Sequence, residues 1–308
     1  MSEHTVELDP IRLEIIANGL RSIADECFVA LMRSSYSTNI KERKDHSIAI
    51  VDKAGRLVVQ AELTLPIHIA SMGGLMKCVL EKFGDDINEG DIFVANDPHT
   101  AGGTHLPDIN YAMPIFIDGE IVAFVCNIAH HADIGGMVPG SMAGGMSEIY
   151  QEGLRIPVVR LFNKGILQQD IMDIMLLNVR VPEERQGDHN AQIASCRLGE
   201  RRFKEVVGVH GLSSVLTAFD EIISRTNQRM KDTIAQIPNG VYEFKDYMDS
   251  DGLSTYDIPI CLKLTVKGER IHLDFAGTSP QVRGNINTTL NAVQASVSYA
   301  LIGALDSE

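Results

Sequence analysis

The chain has 308 residues, a length typical of one large domain or two modest ones. Apolar residues make up 44% and charged residues 22%, which are ordinary values for a globular protein with a real core. The formal net charge of −14 and the absence of Trp argue against a basic or base-stacking surface, so no nucleic-acid partner is expected.

Hydropathy and cysteine spacing indicate the cellular compartment in which the protein is expected. No apolar run reaches the roughly 18–20 residues that a membrane-spanning helix needs. The first nine residues are polar and acidic, unlike a signal peptide. The five cysteines show neither zinc-ribbon spacing nor close pairs, which favours reduced, buried thiols. These features predict a cytoplasmic protein without a membrane partner.

The first part of the chain carries alternating signals for helices and strands. Asp9-Pro10 predicts a helix start, since an N-cap residue precedes proline at the first helical position. Two short apolar runs around Gly55 predict a hairpin. A helix is expected over about 71–83 with Gly84 as its C-cap, followed by a buried strand at Ile92–Ala95.

A second hairpin is predicted from Tyr111–Ile117 and Glu120–Asn127, which Asp118-Gly119 joins. Pro114 cannot donate a backbone hydrogen bond, so its strand is expected at a sheet edge. The following segment, 135–145, holds five glycines and is either a mobile lid or a backbone that approaches a ligand closely.

The second half predicts three helices, then three strands and a last helix, near 168–178, 192–207, 212–237, 241–247, 258–267, 269–275 and 290–304. The predicted fold class is α+β, with mixed, largely antiparallel sheets and packed helices. A boundary is expected near 240. It separates a catalytic region, 1–240, from a hairpin and helix, 241–308, that begin a C-terminal region.

The chemistry is concentrated in residues 96–133, which hold four of the ten histidines. If Asp118-Gly119 is a two-residue turn, Asp108 pairs with Ala129 and lies one step from His130. His105 precedes Asp108 by three residues, so His105, Asp108 and His130 are expected at one end of the hairpin. Two histidines and a carboxylate leave open positions on a metal, as a catalytic site requires.

Other interpretations of these residues stay open. The aspartate could cap a turn, the histidines could lie on the surface, or the group could form a metal-free acid/base site. Cys126 is expected to pack in the core. His68 could be a core or a functional histidine, and Lys41, Arg43 and Asp45 form part of a polar cluster that is either a solvated face or the wall of a cleft.

Five motifs together resemble the hydantoinase B/5-oxoprolinase family, which includes the α subunits of acetone and acetophenone carboxylases. They cover the chain in the family's order: Asn39–Asp45, Asn96–Asp108, Ala129–Gly136, Gln192–Glu200 and Asp274–Pro280. Family members are usually much longer, so the chain resembles their N-terminal part. The match implies a metal, with Mn²⁺ favoured over Zn²⁺ or Fe²⁺, held by residues that correspond to His105, Asp108 and His130.

The resemblance also implies a partner and a reaction. A hydantoinase-A-type subunit would bind ATP and phosphorylate the carbonyl oxygen of a small cyclic amide. The present chain would then hydrolyse the activated lactam or hydantoin within a hetero-oligomer. His131 or Asp133 would be the general base or a supporting ligand, with His99 as a weaker catalytic candidate. The alternatives are an ATP-dependent ketone carboxylase and a non-catalytic scaffold for the ATP-binding partner.

Overall fold

The computed structural model describes residues 8–305. Its α-helices are α1 (Pro10–Ser34), α2 (Thr38–Lys41), α3 (Pro66–Phe83), α4 (Gln169–Leu177), α5 (Pro182–His210), α6 (Leu212–Ile234) and α7 (Leu290–Leu305). Its strands are β1 (His46–Asp52), β2 (Leu57–Gln60), β3 (Ile92–Ala95), β4 (Asp108–Ile117), β5 (Glu120–His130), β6 (Val159–Asn163), β7 (Ile166–Leu167), β8 (Gly240–Ser250), β9 (Tyr256–Lys267) and β10 (Arg270–Asp274).

The larger sheet has seven strands in the order β2-β1-β5-β4-β3-β6-β7, and every neighbouring pair is antiparallel. Helices cover both faces. Ile48 and Ile50 pack in the cluster that contains α1 and α5, whereas Ala49 and Val51 pack in the cluster that contains α3. This alternation follows from the opposite directions of successive side chains in a strand. The predicted α+β class with antiparallel sheets is confirmed.

The hairpin of β4 and β5 has a register that differs by one residue from the predicted one. Near the turn Ile117 pairs with Glu120, but a bulge follows, and from Ile115 onward the partner is one residue further along β5. Asp108 therefore lies directly opposite His130, not opposite Ala129. A bulge places an extra residue on one strand, which the turn sequence alone does not reveal.

The prediction that Pro114 lies in an edge strand is wrong, because β4 is flanked by β5 on one side and β3 on the other. Pairing between β3 and β4 extends only from Asn110 to Ala112, however. Pro114 thus lies just beyond the paired stretch, where a missing backbone donor removes no hydrogen bond to β3.

Two helices begin earlier than predicted, and both extensions matter for the site. Helix α3 starts at Pro66, so His68 lies in its first turn. Helix α5 starts at Pro182, and its first turns bury Arg185 and Asp188. Buried charged residues do not produce the apolar periodicity on which the predicted start near 192 depended.

The smaller sheet has the order β10-β9-β8, and α7 packs against α3. The predicted boundary near 240 coincides with the start of β8 and stays a prediction. Among the described residues, no single helix has the length and apolar character needed to cross a membrane. Helices α5 and α6, bent by 107° at their junction, meet that test only as a pair and only by length and composition.

Helix α5 offers a matched test of its packing on the sheet. A Cβ atom at Gly199 would lie 2.9 Å from both methyl groups of Val125, whereas one at Gly208 would meet nothing within 4 Å. We expect Gly199→Ala to lower the free energy of unfolding by about 1–3 kcal/mol because the core is overpacked. Gly208→Ala should raise it by up to about 1 kcal/mol through helix propensity. Urea denaturation of both variants measures the difference, and equal effects would contradict this packing.

Candidate metal centre

The end of the β4–β5 hairpin brings together three of the residues predicted from the sequence. Asp108 is the first residue of β4 and His130 the last of β5, and the bulge places them opposite each other. His105 lies in the turn just before β4, with its Nε2 atom 3.3 Å from Asp108 Oδ2. One donor atom from each of the three lies within 4.8 Å of the others. We call His105, Asp108 and His130 the first trio.

Asp108 is the centre of this group. The residue is only 2% exposed, and its Oδ1 atom is buried without a hydrogen-bond partner. The hydroxyl of Thr104 donates to Oδ2. Burial alone would raise the pKa of Asp108, but the neighbouring His105 and His68 hold that pKa well below its usual value. The carboxyl group is therefore ionised, with one oxygen free to accept a further ligand.

The ring of His130 is held from both sides. The side-chain Nδ2 atom of Asn39, in α2, lies 2.5 Å from Nδ1; metal binding through Nε2 requires the flipped amide, in which Oδ1 accepts from a protonated Nδ1. The Nε2 atom lies 3.3 Å from Sδ of Met142, which belongs to the glycine-rich segment 135–145. Burial lowers the pKa of His130, which favours the neutral imidazole that metal binding requires. The glycine-rich segment thus contacts one residue of the trio, His130.

Two further residues with metal-binding side chains lie beside the first trio. His68 is 1% exposed, and its Nε2 atom lies 3.7 Å from Asp108 Oδ2 and 3.6 Å from Asp45 Oδ1. His68 is thus turned toward carboxylates rather than packed as an apolar core residue. In the polar cluster before β1, Asp45 faces the site, whereas Lys41 and Arg43 are exposed to solvent.

His131 faces away from the first trio. It is 1% exposed, its Nε2 atom lies 2.8 Å from Gln192 Oε1, and its ring lies against that of His189. Successive side chains of a strand point to opposite faces, so His130 and His131 serve different surroundings. The structure does not bring His131 to the trio.

Asp133 is also occupied elsewhere. Its carboxylate accepts hydrogen bonds from the backbone of Gly135 and Gly140 and from the guanidinium of Arg180. Burial alone would raise the pKa of Asp133, but these bonds outweigh it and lower the pKa. The carboxylate therefore fixes the start of the glycine-rich segment. Its hydrogen bonds leave little capacity for accepting a proton.

His99, the third catalytic candidate, is exposed near the start of the loop that follows β3. Its charge acts on Glu152, a half-buried carboxyl group that the sequence pattern does not single out. Burial raises the pKa of Glu152, and the charges of His105 and His99 oppose that rise. Glu152 therefore combines a raised pKa with an electrostatic interaction with His105 of the first trio, two properties of a proton-transferring group.

The first trio fits a divalent metal on three grounds. Two imidazoles and a carboxylate are a common donor set for Zn²⁺, Mn²⁺ or Fe²⁺. Asp108 Oδ1 is a buried acceptor without a partner, which is costly unless a cation is nearby. Within residues 8–305 no backbone N–H donates to the Asp108 side chain, so this carboxylate does not cap a turn. Cys126 takes no part, because it is fully buried in the apolar cluster under α3.

Comparison with known proteins gives the family. The family model described as Hydantoinase B/oxoprolinase matches residues 9–308. The chain is 33% identical to the B-type polypeptide of a putative D-/L-hydantoinase from a Pseudomonas species, over 90% of this chain and 48% of that protein. It is 32% identical to the beta chain of caprolactamase from Pseudomonas jessenii, over 91% of this chain and 48% of the relative. The chain thus spans about half the length of these curated relatives.

Two solved structures share the fold. The ATP-dependent caprolactamase from Pseudomonas jessenii superposes with a TM-score of 0.88 at 30% identity, over 97% of this chain and 51% of that chain. Acetone carboxylase in its nucleotide-free form gives a TM-score of 0.90 at 21% identity, over 100% of this chain and 42% of that chain, which shows likeness of fold alone. The match over nearly the whole sequence confirms the predicted resemblance: the chain is a member of the hydantoinase B/oxoprolinase family.

Proposed function

We propose that this chain forms the metal centre of an ATP-dependent enzyme that hydrolyses small cyclic amides. The observation that carries the proposal is the convergence of His105, Asp108 and His130 around a buried carboxylate oxygen that has no other partner. Membership of the hydantoinase B/oxoprolinase family supports the substrate class, and the caprolactamase relative is an ATP-dependent enzyme.

The residues around the first trio supply what ring opening needs. The amide carbonyl is a poor electrophile, so its oxygen must first be phosphorylated. A divalent ion held by the trio, with Mn²⁺ favoured over Zn²⁺ or Fe²⁺, would lower the pKa of a bound water and polarise the substrate oxygen. Asn39 orients His130, and the buried Asp108 supplies the negative charge.

We assign proton transfer to a residue outside the first trio. Of the three candidates from the sequence, His131 and Asp133 are hydrogen-bonded elsewhere, whereas His99 is exposed and its charge acts on Glu152. We propose Glu152 as the proton acceptor, with His99 as a charge that acts on it. A carboxyl group whose pKa is raised by burial is suited to accept a proton near neutral pH and then release it.

We propose that ATP binds to a hydantoinase-A-type partner, because the sequence of this chain contains no Walker loop. The two chains would form a cytoplasmic hetero-oligomer. The chain alone should therefore release no phosphate from ATP. Together with an A-type partner it should release phosphate in step with ring opening of 5-oxoproline, hydantoin or caprolactam. ATP hydrolysis by the isolated chain, free of contaminating ATPase, would contradict this division of labour.

Ketone carboxylation is the second candidate, and the shared fold with acetone carboxylase favours it. The same complex assayed with acetone and bicarbonate separates the two reactions. Product from acetone, without opening of any cyclic amide, would replace the hydrolase proposal by the carboxylase. A scaffold without catalysis is the third candidate, and a chain that binds no divalent metal would favour it.

The adjacent histidines give a test of which residue binds the metal. We expect His130→Ala to lose the bound metal, whereas His131→Ala should keep it, because His131 faces Gln192 on the opposite side of β5. Loss of the buried His131–Gln192 hydrogen bond should lower the free energy of unfolding by about 1–3 kcal/mol. Metal analysis of both purified variants decides, and the assignment would be reversed if only His131→Ala lost the ion.

A further inference from the structure

One side chain of α5 contacts both strands of the hairpin beside the first trio. Gln192 is fully buried, and its Nε2 atom donates to the backbone carbonyl of Ile109 at 2.8 Å. Its Oε1 atom lies 2.8 Å from Nε2 of His131. Ile109 directly follows Asp108 in β4, and His131 directly follows His130 at the end of β5. The amide of Gln192 therefore links the two chain positions next to two proposed metal ligands.

The chemistry of the partners fixes the orientation of this amide. A backbone carbonyl can only accept, so the NH2 group of Gln192 must face Ile109, and Oε1 must face His131. The NH2 group also donates to Oδ1 of Asn127 at 3.0 Å, and Asn127 donates to the backbone carbonyl of Gln192 at 2.9 Å. Both N–H groups and the oxygen of the amide are thus used. The flipped amide would set its oxygen against two other oxygens.

The same face of α5 determines how closely this helix approaches β5. Gln192, Cys196 and Gly199 recur at the four- and three-residue spacing of one helix face. The Sγ atom of Cys196 accepts from Nδ2 of Asn127 at 3.1 Å. A Cβ atom at Gly199 would lie 2.9 Å from the methyl groups of Val125, so only a glycine lets the helix lie this close. The side chain of Gln192 can then reach both β4 and β5.

The amide and the proposed metal ligands lie on opposite faces of the larger sheet. Successive side chains of a strand alternate, so Asn127 and His131 point toward α5, whereas His130 points to the other face. Asp108 lies directly opposite His130 in the hairpin and shares its face. Gln192 therefore acts on the first trio through the backbone of β4 and β5. This placement makes it a positioning residue rather than a ligand.

We propose that Gln192 positions Asp108 against His130 and so sets the geometry, and with it the affinity, of the metal centre. This inference rests on the proposed function, because it assumes that the first trio binds a divalent ion. Metal–ligand distances in proteins fall within about 0.2 Å of their usual values, so a loosened hairpin end should weaken binding. Groups that orient ligands typically account for about 10–100-fold in metal affinity.

The test compares substitutions of two buried polar side chains of α5 in the full-length chain. Gln192→Met is nearly isosteric and removes every hydrogen bond of the amide. Ser195→Ala removes the bond from the Ser195 hydroxyl to the backbone carbonyl of Cys27 in α1, 3.2 Å away, and leaves the hairpin contacts intact. Chelator competition measures the affinity for Mn²⁺. The electron paramagnetic resonance spectrum of the saturated protein reports the ligand geometry of the bound ion.

Gln192→Met should bind Mn²⁺ about 10-fold more weakly than wild type, and its resonance spectrum should differ from that of wild type even at saturation. Ser195→Ala should match wild type in both measurements, although it also loses a buried hydrogen bond. His131→Ala keeps the bond from Gln192 to Ile109, so its affinity should lie between those of wild type and Gln192→Met. The spectrum separates positioning from stability, because a loss of stability alone leaves the ligand geometry of folded molecules unchanged.

Each outcome decides the proposal. Circular dichroism establishes that a variant is folded. Gln192→Asn, whose amide is one methylene shorter and cannot reach both strands, should show the same changes and decides the matter if Gln192→Met does not fold. Wild-type affinity and spectrum in a folded Gln192 variant, or equal changes in Ser195→Ala, overturn the positioning role. A wild-type chain that binds no Mn²⁺ overturns the proposed function as well, so the two failures are distinguishable.

Discussion

Replacing Asp108 by asparagine is expected to abolish stoichiometric binding of a divalent metal while the chain stays folded. The side chain is 2% exposed and supplies the only carboxylate of the first trio. Asparagine keeps the shape but removes the negative charge that holds a cation between two imidazoles. Loss of a direct ligand should weaken binding by more than the roughly 10–100-fold typical of groups that only orient ligands. Chelator competition with Mn²⁺ or Zn²⁺ measures the change.

The control for this experiment is Asp133→Asn. Asp133 is 6% exposed and equally a buried carboxylate, but it holds Arg180 and the glycine-rich segment instead of the trio. This variant should bind the metal stoichiometrically and unfold more easily. Equal metal binding by Asp108→Asn and Asp133→Asn would contradict the assignment of Asp108 as a metal ligand.

The largest loss of stability is expected at Asp188, near the start of α5. Its buried carboxylate accepts from the backbone of Tyr36 and Ser37 at 2.7 and 2.9 Å and from the Ser37 hydroxyl at 2.5 Å. The Nε atom of the buried Arg185 lies 3.1 Å away as its counter-charge. Asp188→Ala would remove the buried counter-charge of this arginine and leave only the more exposed Glu184, whose carboxylate lies 3.2 Å from its guanidinium; the loss should cost about 3–5 kcal/mol of unfolding free energy.

The same substitution should disturb the metal centre indirectly. Ser37 accepts from the backbone of Ala132 and precedes α2, which carries Asn39 to His130. Urea unfolding measures the stability. The matched control is Asp220→Ala, since Asp220 forms an exposed pair with Arg56 and should change stability by about 0–1 kcal/mol. Similar losses in both variants would show that the buried pair does not stabilise the fold in this way.

The parts of the fold that sequence reasoning predicted correctly are those with local causes. Helix α1 begins where Asp9 caps it, accepting from the backbone of Ile11 and Arg12. The β4–β5 hairpin turns at Asp118-Gly119, both with positive φ, as the Asp-Gly pair favours. These features depend on a few neighbouring residues, so the local sequence pattern predicts them.

The errors come from contacts that are distant in sequence. The bulge in the hairpin shifts the register by one residue, and no residue of the turn predicts this shift. The first trio was nevertheless identified, because an estimate off by one still placed Asp108 and His130 at the same end. Strands β6 and β7 were not predicted. Glu152 is not singled out by the sequence, because its electrostatic interaction with His99 and His105 joins residues that are far apart along the chain.

The most direct test of the metal centre is a crystal structure of the chain grown with Mn²⁺, with data collected at the manganese absorption edge. An anomalous peak is expected within about 2.0–2.3 Å of donor atoms from His105, Asp108 and His130, since that is the usual range of metal–ligand distances for nitrogen and oxygen. Crystals that contain manganese but show no anomalous peak at this trio would contradict the proposed metal centre.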